Sequence, residues 1–278
     1  MRNIINGALI AFFFLNILSC SSGNQAQKEV DWKRDSFVKI ETWFYKKTCE
    51  LSDPESLGPE CFKKQHGYTG SGSIVARTFD GSYVLTAAHI CDHKRELEIL
   101  NETNRITRAE DEFSEIVLIF KVRDLANLTY KASVIDYDIK LDACLTFVWG
   151  LMNPALSISK SGPVIGKEYY NVAAPAGFFQ KDLVPLFEGR YIGNWEGADT
   201  YTIPAIGGSS GSPIINRDGE LVGLIYARHS QFHHITISSN FSKLKNFILF
   251  AIKEDSRKRK TKLDSESDRE IVIKFAEE

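Results

Sequence analysis

The stretch Gly207-Gly208-Ser209-Ser210-Gly211-Ser212-Pro213 packs three glycines and three serines into seven positions, ahead of the strand-like Ile214-Ile215. A backbone this rich in glycine can turn tightly, aim its amide N–H groups at one point and leave a hydroxyl exposed. Attack on a carbonyl uses that combination, a nucleophile beside donors placed where an oxyanion forms. A Gly/Ser run by itself also describes an ordinary surface loop, so the chemistry depends on a base and an orienting acid elsewhere. Six histidines are available, at 66, 89, 93, 229, 233 and 234, and only His89 directly closes a strongly apolar strand, in Leu85-Thr86-Ala87-Ala88-His89. Three aspartates compete for the orienting role. Asp136 and Asp138 occupy a polar turn, whereas Asp142 leads into Ala143-Cys144-Leu145-Thr146-Phe147-Val148. A carboxylate at the edge of a core needs a hydrogen-bonding partner to be tolerated there.

The elements that must position these groups are mostly short strands. Ser36–Tyr45 alternates apolar and polar residues, Gly67–Val75 is a glycine-rich turn entering a strand, and Asp80-Gly81-Ser82 turns into Tyr83–Thr86. Lys94–Glu112 is strongly charged and reads as a surface excursion; strands follow at Ile116–Val122 and Ala132–Ile135. A second set begins at Pro163–Gly166 and Tyr169–Ala174 and continues through Leu186–Trp195 and Asp199–Ile203. After the Gly/Ser loop, Ile214–Ile225 reads as a hairpin turning at Asp218-Gly219, and His234–Ser238 is one more strand. Ser239 or Asn240 then caps a helix with apolar residues at 241, 244, 247, 248, 251 and 252. The pattern predicts an all-β architecture of two barrel-like halves with a C-terminal helix.

With these residues in view, the chain resembles the chymotrypsin/trypsin-like serine proteases, particularly the bacterial branch that includes the HtrA and glutamyl endopeptidase groups. Thr86-Ala87-Ala88-His89 matches the family's histidine motif, and Asp138 to Leu145 resembles its aspartate motif. Gly208-Ser209-Ser210-Gly211-Ser212-Pro213 matches the serine motif, and Gly219–Gly223 the hairpin after it. The order His, Asp, Ser is the family's, at spacings of 53 and 68 residues, and the likeness covers about Ser36 to Ile252. The resemblance implies two six-stranded antiparallel β-barrels, the first spanning about 35–155 and the second about 160–252. It implies His89, Asp142 and Ser210 as a catalytic triad, an oxyanion hole from the N–H groups of Gly208 and Ser210, and no metal or organic cofactor. Ser209 stands where many family members carry an aspartate that pairs with a newly freed N-terminus, which argues against that activation switch.

Motif alignment walls the primary substrate pocket with Pro204, Ala205 and Ile206 on one side and Tyr226, Ala227 and Arg228 on the other, with His233 and His234 close by. No acidic residue falls where Lys or Arg would be selected, and Arg228 and His234 point to an acidic or polar P1 side chain. Protein or peptide substrates are the expected partners. Two other classes stand against this reading. One is a catalytically silent binding protein on the same fold; the other is another acyl-transfer hydrolase, of which the α/β-hydrolase elbow Gly-x-Ser-x-Gly is disfavoured by Ser212 in place of its last glycine.

The N-terminal run Gly7–Leu18 is too short to span a bilayer and fits the core of an export signal. Ile17-Leu18-Ser19-Cys20 resembles a bacterial lipoprotein box, which implies a signal over 1–19, lipid on Cys20 and a polar tether over 20–34. The expected location is the periplasm or cell envelope, on the outer membrane. Export implies an oxidising compartment; a disulfide is expected between Cys49 and Cys61, while Cys91 and Cys144 either pair or remain buried thiols. The net charge of −2 gives no pull toward nucleic acid. Of the 26 residues over 253–278, 16 are charged, equally basic and acidic, which reads as a solvated tail.

Overall fold

The computed structural model describes residues 34–48, 61–107 and 114–274. Cys20, Cys49 and the signal and tether segments expected from the sequence lie outside the described residues.

Six strands form a first barrel: β1 (Phe37–Lys47), β2 (Phe62–Arg77), β3 (Gly81–Thr86), β4 (Glu115–Arg123), β5 (Thr129–Asp138) and β6 (Ala143–Trp149). They close in the order β1-β2-β3-β6-β5-β4. A second closed barrel, β10-β11-β12-β9-β8-β7, is built from β7 (Glu168–Val172), β8 (Leu186–Trp195), β9 (Ala198–Tyr201), β10 (Pro213–Ile215), β11 (Leu221–Arg228) and β12 (Thr236–Ser238). All strand pairs are antiparallel, so the two-barrel architecture expected from the pattern of short strands is the one found. Closure leaves no open sheet edge to satisfy.

Each barrel fills its own interior, the first with Val38, Ile40, Ile74, Val84 and Val122, the second with Tyr201, Ile203, Ile214, Val222 and Ile225. A third apolar cluster joins them. It contains Leu85, Leu145 and Phe147 from the first barrel, Tyr170, Ile215, Leu221 and Leu224 from the second, and Leu244, Ile248 and Ala251 from the C-terminal helix. Burying these side chains in one seam fixes the barrels against each other at roughly 2 kcal/mol per large side chain.

Three segments differ from the sequence reading. Pro163–Gly166 is a turn rather than a strand: Lys167 N–H donates to Val164 O (3.1 Å) and Gly166 takes φ +80°. Proline has no N–H to give to a ladder, so β7 starts only at Glu168. The charged excursion contains α2 (Lys94–Thr107), which buries no residue and follows the single turn α1 (Ala88–Cys91). Its hydrogen bonds run to the first barrel. Asn101 exchanges two hydrogen bonds with the backbone of Ile116, and Glu96 accepts from Tyr68 Oη while its carboxylate also pairs with His66 and His93. Charged residues outnumber its half-buried Leu97 and Leu100, which is why the segment reads as a surface excursion.

The C-terminal helix α3 runs from Phe241 to Lys274, so residues 253–274, expected as a solvated tail, continue the helix. Asn240 caps it through Lys243 N–H (3.3 Å), Asp199 Oδ2 accepts Phe241 N–H (2.8 Å), and no glycine or proline interrupts the run. At roughly 50 Å long, the helix reaches back to the first barrel. There Tyr83 Oη donates to Asp255 Oδ2 (2.9 Å) and the Arg259 guanidinium lies 3.5 Å from the centre of the Phe147 ring.

Candidate active site

His89 sits one residue into α1, immediately after β3 ends at Thr86. Two hydrogen bonds join it to Asp142: the backbone N–H of His89 donates to Oδ1 (3.0 Å), and Nδ1 meets Oδ2 at 2.7 Å. A carboxylate only accepts, so Nδ1 carries the proton and Nε2 is left with its lone pair in the neutral ring. The His89 side chain is 45% exposed and that of Asp142 20%, so the free edge of the imidazole is reachable from solvent.

Asp142 occupies a left-handed backbone position, φ +49°, in the turn between β5 and β6. That conformation is sparsely populated outside glycine, and the surroundings hold it. Asp138 Oδ1 accepts the N–H groups of Lys140 and Leu141, and Ser239 Oγ, reaching over from the second barrel, donates to Leu141 O (2.8 Å). Asp138, the other candidate of the aspartate motif, thus caps the turn that presents Asp142. Cys91 and Cys144 are paired in a disulfide. Each lies two residues beyond His89 and Asp142 respectively, so a covalent tie runs parallel to the hydrogen-bonded one. Cys61 is also disulfide-bonded.

Ser210 comes from the other barrel, on the loop before β10. This loop is pressed onto the histidine segment. Ser71 N–H donates to Ser210 O (2.8 Å), and Gly211 approaches so closely that a Cβ there would stand 2.1 Å from Ser71 O, 2.3 Å from Thr86 Oγ1 and 2.9 Å from Ala87 N. Only glycine, here at φ +86°, permits that approach beside His89.

Peptide planarity fixes where the loop's amides point. Gly207 O accepts from Ala176 N–H (2.6 Å) and Ser209 O from Ser212 N–H (3.1 Å). In a trans peptide the N–H lies opposite the C=O, so the amides of Gly208 and Ser210 are directed away from these ties. Among the described residues neither has an intramolecular acceptor. The Ser209 hydroxyl, 1% exposed, turns inward and accepts from Ile206 N–H (3.4 Å), closing the loop on itself.

Beside Ser210 opens a cleft of about 300 Å³, walled by Ala205, Ile206, Gly207, Ser209, Ile225, Tyr226, Ala227 and Arg228. Five of the seven expected pocket residues are there; Pro204 and His234 are not among the lining groups. His234 lies on an exposed loop whose His233 O accepts Ala205 N–H (3.1 Å). Arg228 is the one charged side chain of the wall. Tyr226 is partly buried, and burial together with the nearby Asp142 charge pushes its hydroxyl pKa up, so it stays neutral between the cleft and the carboxylate. Among the described residues, no group of three His, Cys, Asp or Glu side chains is arranged to hold a metal ion.

Sequence reasoning passed over Ser71. The one available signal is Gly70-Ser71-Gly72 inside a strand, since glycines there mark close approach of neighbouring chain. A Cβ on Gly70 would meet the Ile90 side chain at 3.0 Å, and one on Gly72 would stand 2.9 Å from Ile40 and 3.0 Å from Leu85 O.

Two closed antiparallel barrels, with a His–Asp pair on one and a tight Gly/Ser loop from the other meeting it at the seam, define the trypsin-like two-barrel class. The Trypsin-like peptidase domain matches residues 70–224, more than half of the chain, and the chain belongs to that family. Similar solved structures include the serine endoprotease from Yersinia pestis, at 14% identity and TM-score 0.57, covering 84% of this chain and 69% of that one. The active form of the Rv3671c protease from M. tuberculosis is similar at 17% identity and TM-score 0.54, covering 78% and 81%. At these identities the likeness speaks for the fold. No curated protein matches the sequence. The family supports a peptidase acting on protein or peptide substrates.

Proposed function

We propose that the chain is an exported serine endopeptidase that works through an acyl-enzyme. Ser210 Oγ attacks the scissile carbonyl while its proton passes to His89 Nε2. The tetrahedral oxyanion is met by the N–H groups of Gly208 and Ser210. Collapse expels the amine, which takes the proton from His89, and leaves an ester on Ser210. Water then attacks the ester, giving a proton to His89, which passes it to Ser210 Oγ as the C–O bond breaks and the acid is released. Asp142 holds the imidazole with its proton on Nδ1 and stabilises the imidazolium that forms in each half.

The observation that carries this reading is the 2.7 Å Nδ1–Oδ2 contact of His89 with Asp142, placed where the nucleophile loop packs on Thr86 and Ala87. The cleft beside Ser210, free of carboxylates and carrying Arg228, favours an acidic or polar P1 side chain. Export with lipid on Cys20 completes the proposal, and palmitate incorporation that disappears in Cys20→Ser tests it.

Fluorophosphonate labelling and peptide turnover, with Glu and Leu compared at P1, test the chemistry. Wild type should label and cleave, Ser210→Ala should do neither, and Asp142→Asn should fold but turn over roughly four orders of magnitude more slowly. Labelling that persists in Ser210→Ala refutes the nucleophile. A folded wild type that neither labels nor cleaves points to a silent binding protein on this fold.

A further inference from the structure

The geometry points to Ser71 as a positioning residue that sets the oxyanion-binding loop, an inference that rests on the serine-peptidase reading above. Ser71 lies on β2 in the first barrel, contributes nothing to the cleft wall and is fully buried. All of its polar atoms are committed, and most serve the nucleophile loop. Its N–H holds Ser210 O (2.8 Å); its hydroxyl lies 2.8 Å from Gly208 O and accepts Ala174 N–H (2.9 Å); its own carbonyl accepts Thr86 Oγ1 (2.8 Å).

The hydroxyl's direction follows from chemistry. An amide N–H can only donate, so the Ala174 bond uses a lone pair of Oγ, and the single hydroxyl proton is left for Gly208 O. One residue therefore grips the carbonyls of both residues whose N–H groups would bind the oxyanion. It also joins that loop to Thr86, three residues before His89, and to the second-barrel segment at Ala174. Two residues further on, Ala176 N–H holds Gly207 O (2.6 Å), the tie that turns Gly208 N–H to the opposite side of the peptide. Ser71 Oγ thus holds Gly208 O directly and, through Ala174 N–H, anchors the segment whose Ala176 N–H holds Gly207 O.

Glycine at 208 gives this arrangement little stiffness of its own. At φ +94° it adopts a region open to glycine. A Cβ there would stand 2.4 Å from Ala174 O and 2.9 Å from Ala176 N, so a stiffer residue is excluded. Rigidity has to come from outside the loop, and Ser71 Oγ supplies it across the barrel seam. Donors held in place before reaction stabilise the transition state more than the bound substrate.

The test pairs Ser71→Ala with Ser71→Thr, which restores a hydroxyl. Ser71→Ala is expected to lower kcat about 10- to 100-fold, less than the loss of a donor itself, with KM changed by no more than about twofold. The Ki of a peptide aldehyde, whose hemiacetal oxygen occupies the oxyanion position, should weaken by the same factor as kcat/KM, and Ser71→Thr should recover most of both. A purely structural role predicts instead a loss that tracks the folded fraction, with aldehyde affinity per folded molecule unchanged. A readout that needs no variant is backbone amide exchange in the wild type. The Ala174 N–H, bonded to a buried hydroxyl, should exchange no faster than the paired strands of β2, and rapid exchange overturns the bridge. If wild type turns over and Ser71→Ala matches it, the positioning role fails alone. If the folded wild type neither turns over nor labels, the serine-peptidase reading and this inference fall together.

Discussion

Gly211→Ala concentrates the argument about the two barrels into one methyl group. The added Cβ would stand 2.1 Å from Ser71 O, 2.3 Å from Thr86 Oγ1 and 2.9 Å from Ala87 N. Ser71 and Thr86 cannot retreat easily, since both lie in registered strands of a closed barrel. The loop must move instead, by about 1 Å, a displacement that in a catalytic arrangement costs about 100-fold in rate. Moving it also stretches the 2.8 Å bond from Ser71 N–H to Ser210 O, and the φ of +86° adds left-handed strain for alanine. One weakened buried hydrogen bond at about 1–3 kcal/mol and a backbone penalty of about 1–2 kcal/mol give a stability loss of roughly 2–5 kcal/mol. The barrels' own packing is untouched, so the variant should still fold. The assay is kcat/KM together with the fluorophosphonate labelling rate, each corrected for folded fraction from a denaturant curve. A folded Gly211→Ala protein within about threefold of wild type in both would refute the claim that this approach sets the nucleophile against His89.

Two further outcomes follow from the first barrel. Replacing both Cys91 and Cys144 by Ser removes a tie across 53 residues, for which chain entropy gives about 4 kcal/mol; chemical denaturation reads it directly, and a loss under about 1 kcal/mol shows that the disulfide hardly constrains the unfolded chain. The Glu96 carboxyl is pulled two ways: burial raises its pKa, but hydrogen bonds from His66, Tyr68 and His93 outweigh it and hold the value below the usual carboxylate range. Its contribution to docking α2 is therefore full above the unfolded-state pKa, about 4.3, and is lost as pH falls through the lower folded value. Amide exchange over residues 94–107 should rise below about pH 4 in wild type and already be fast at pH 7 in Glu96→Ala. Equal protection in the two proteins at pH 7 overturns the anchoring role.

Much of the candidate site was legible because the residue types it needs are written in local patterns. Thr86-Ala87-Ala88-His89 reads as a strand ending on a histidine, Asp142 borders an apolar run, and the Gly/Ser loop announces a tight turn with a free hydroxyl. The apolar stripe Phe241, Leu244, Ile248 and Ala251 was equally readable; Phe241 is buried in the second barrel's core and the other three in the seam. What failed did so for identifiable reasons. Helix α2 is tied down by Glu96, Asn101 and Asn104, and its half-buried Leu97 and Leu100 are outnumbered by charged neighbours, so composition alone reads it as a surface excursion. The helix beyond Lys253 has a composition that excludes a core, yet Asp255 and Arg259 need only Tyr83, Phe147 and Asp80 to dock.

The sequence alone determined the inventory: short strands enough for two barrels, a closing helix, and residues whose types suit acyl transfer. Those features depend on neighbours within a few positions, where side-chain period, turn residues and caps act. Only the tertiary structure decided the relations between distant segments. It paired Cys91 with Cys144, set Asp142 in a left-handed turn braced by Ser239, and drew Ser71 of β2 onto the carbonyls of Gly208 and Ser210. Such contacts join residues 53 to 139 positions apart, and they exist only once burial of the apolar seam has brought the barrels together.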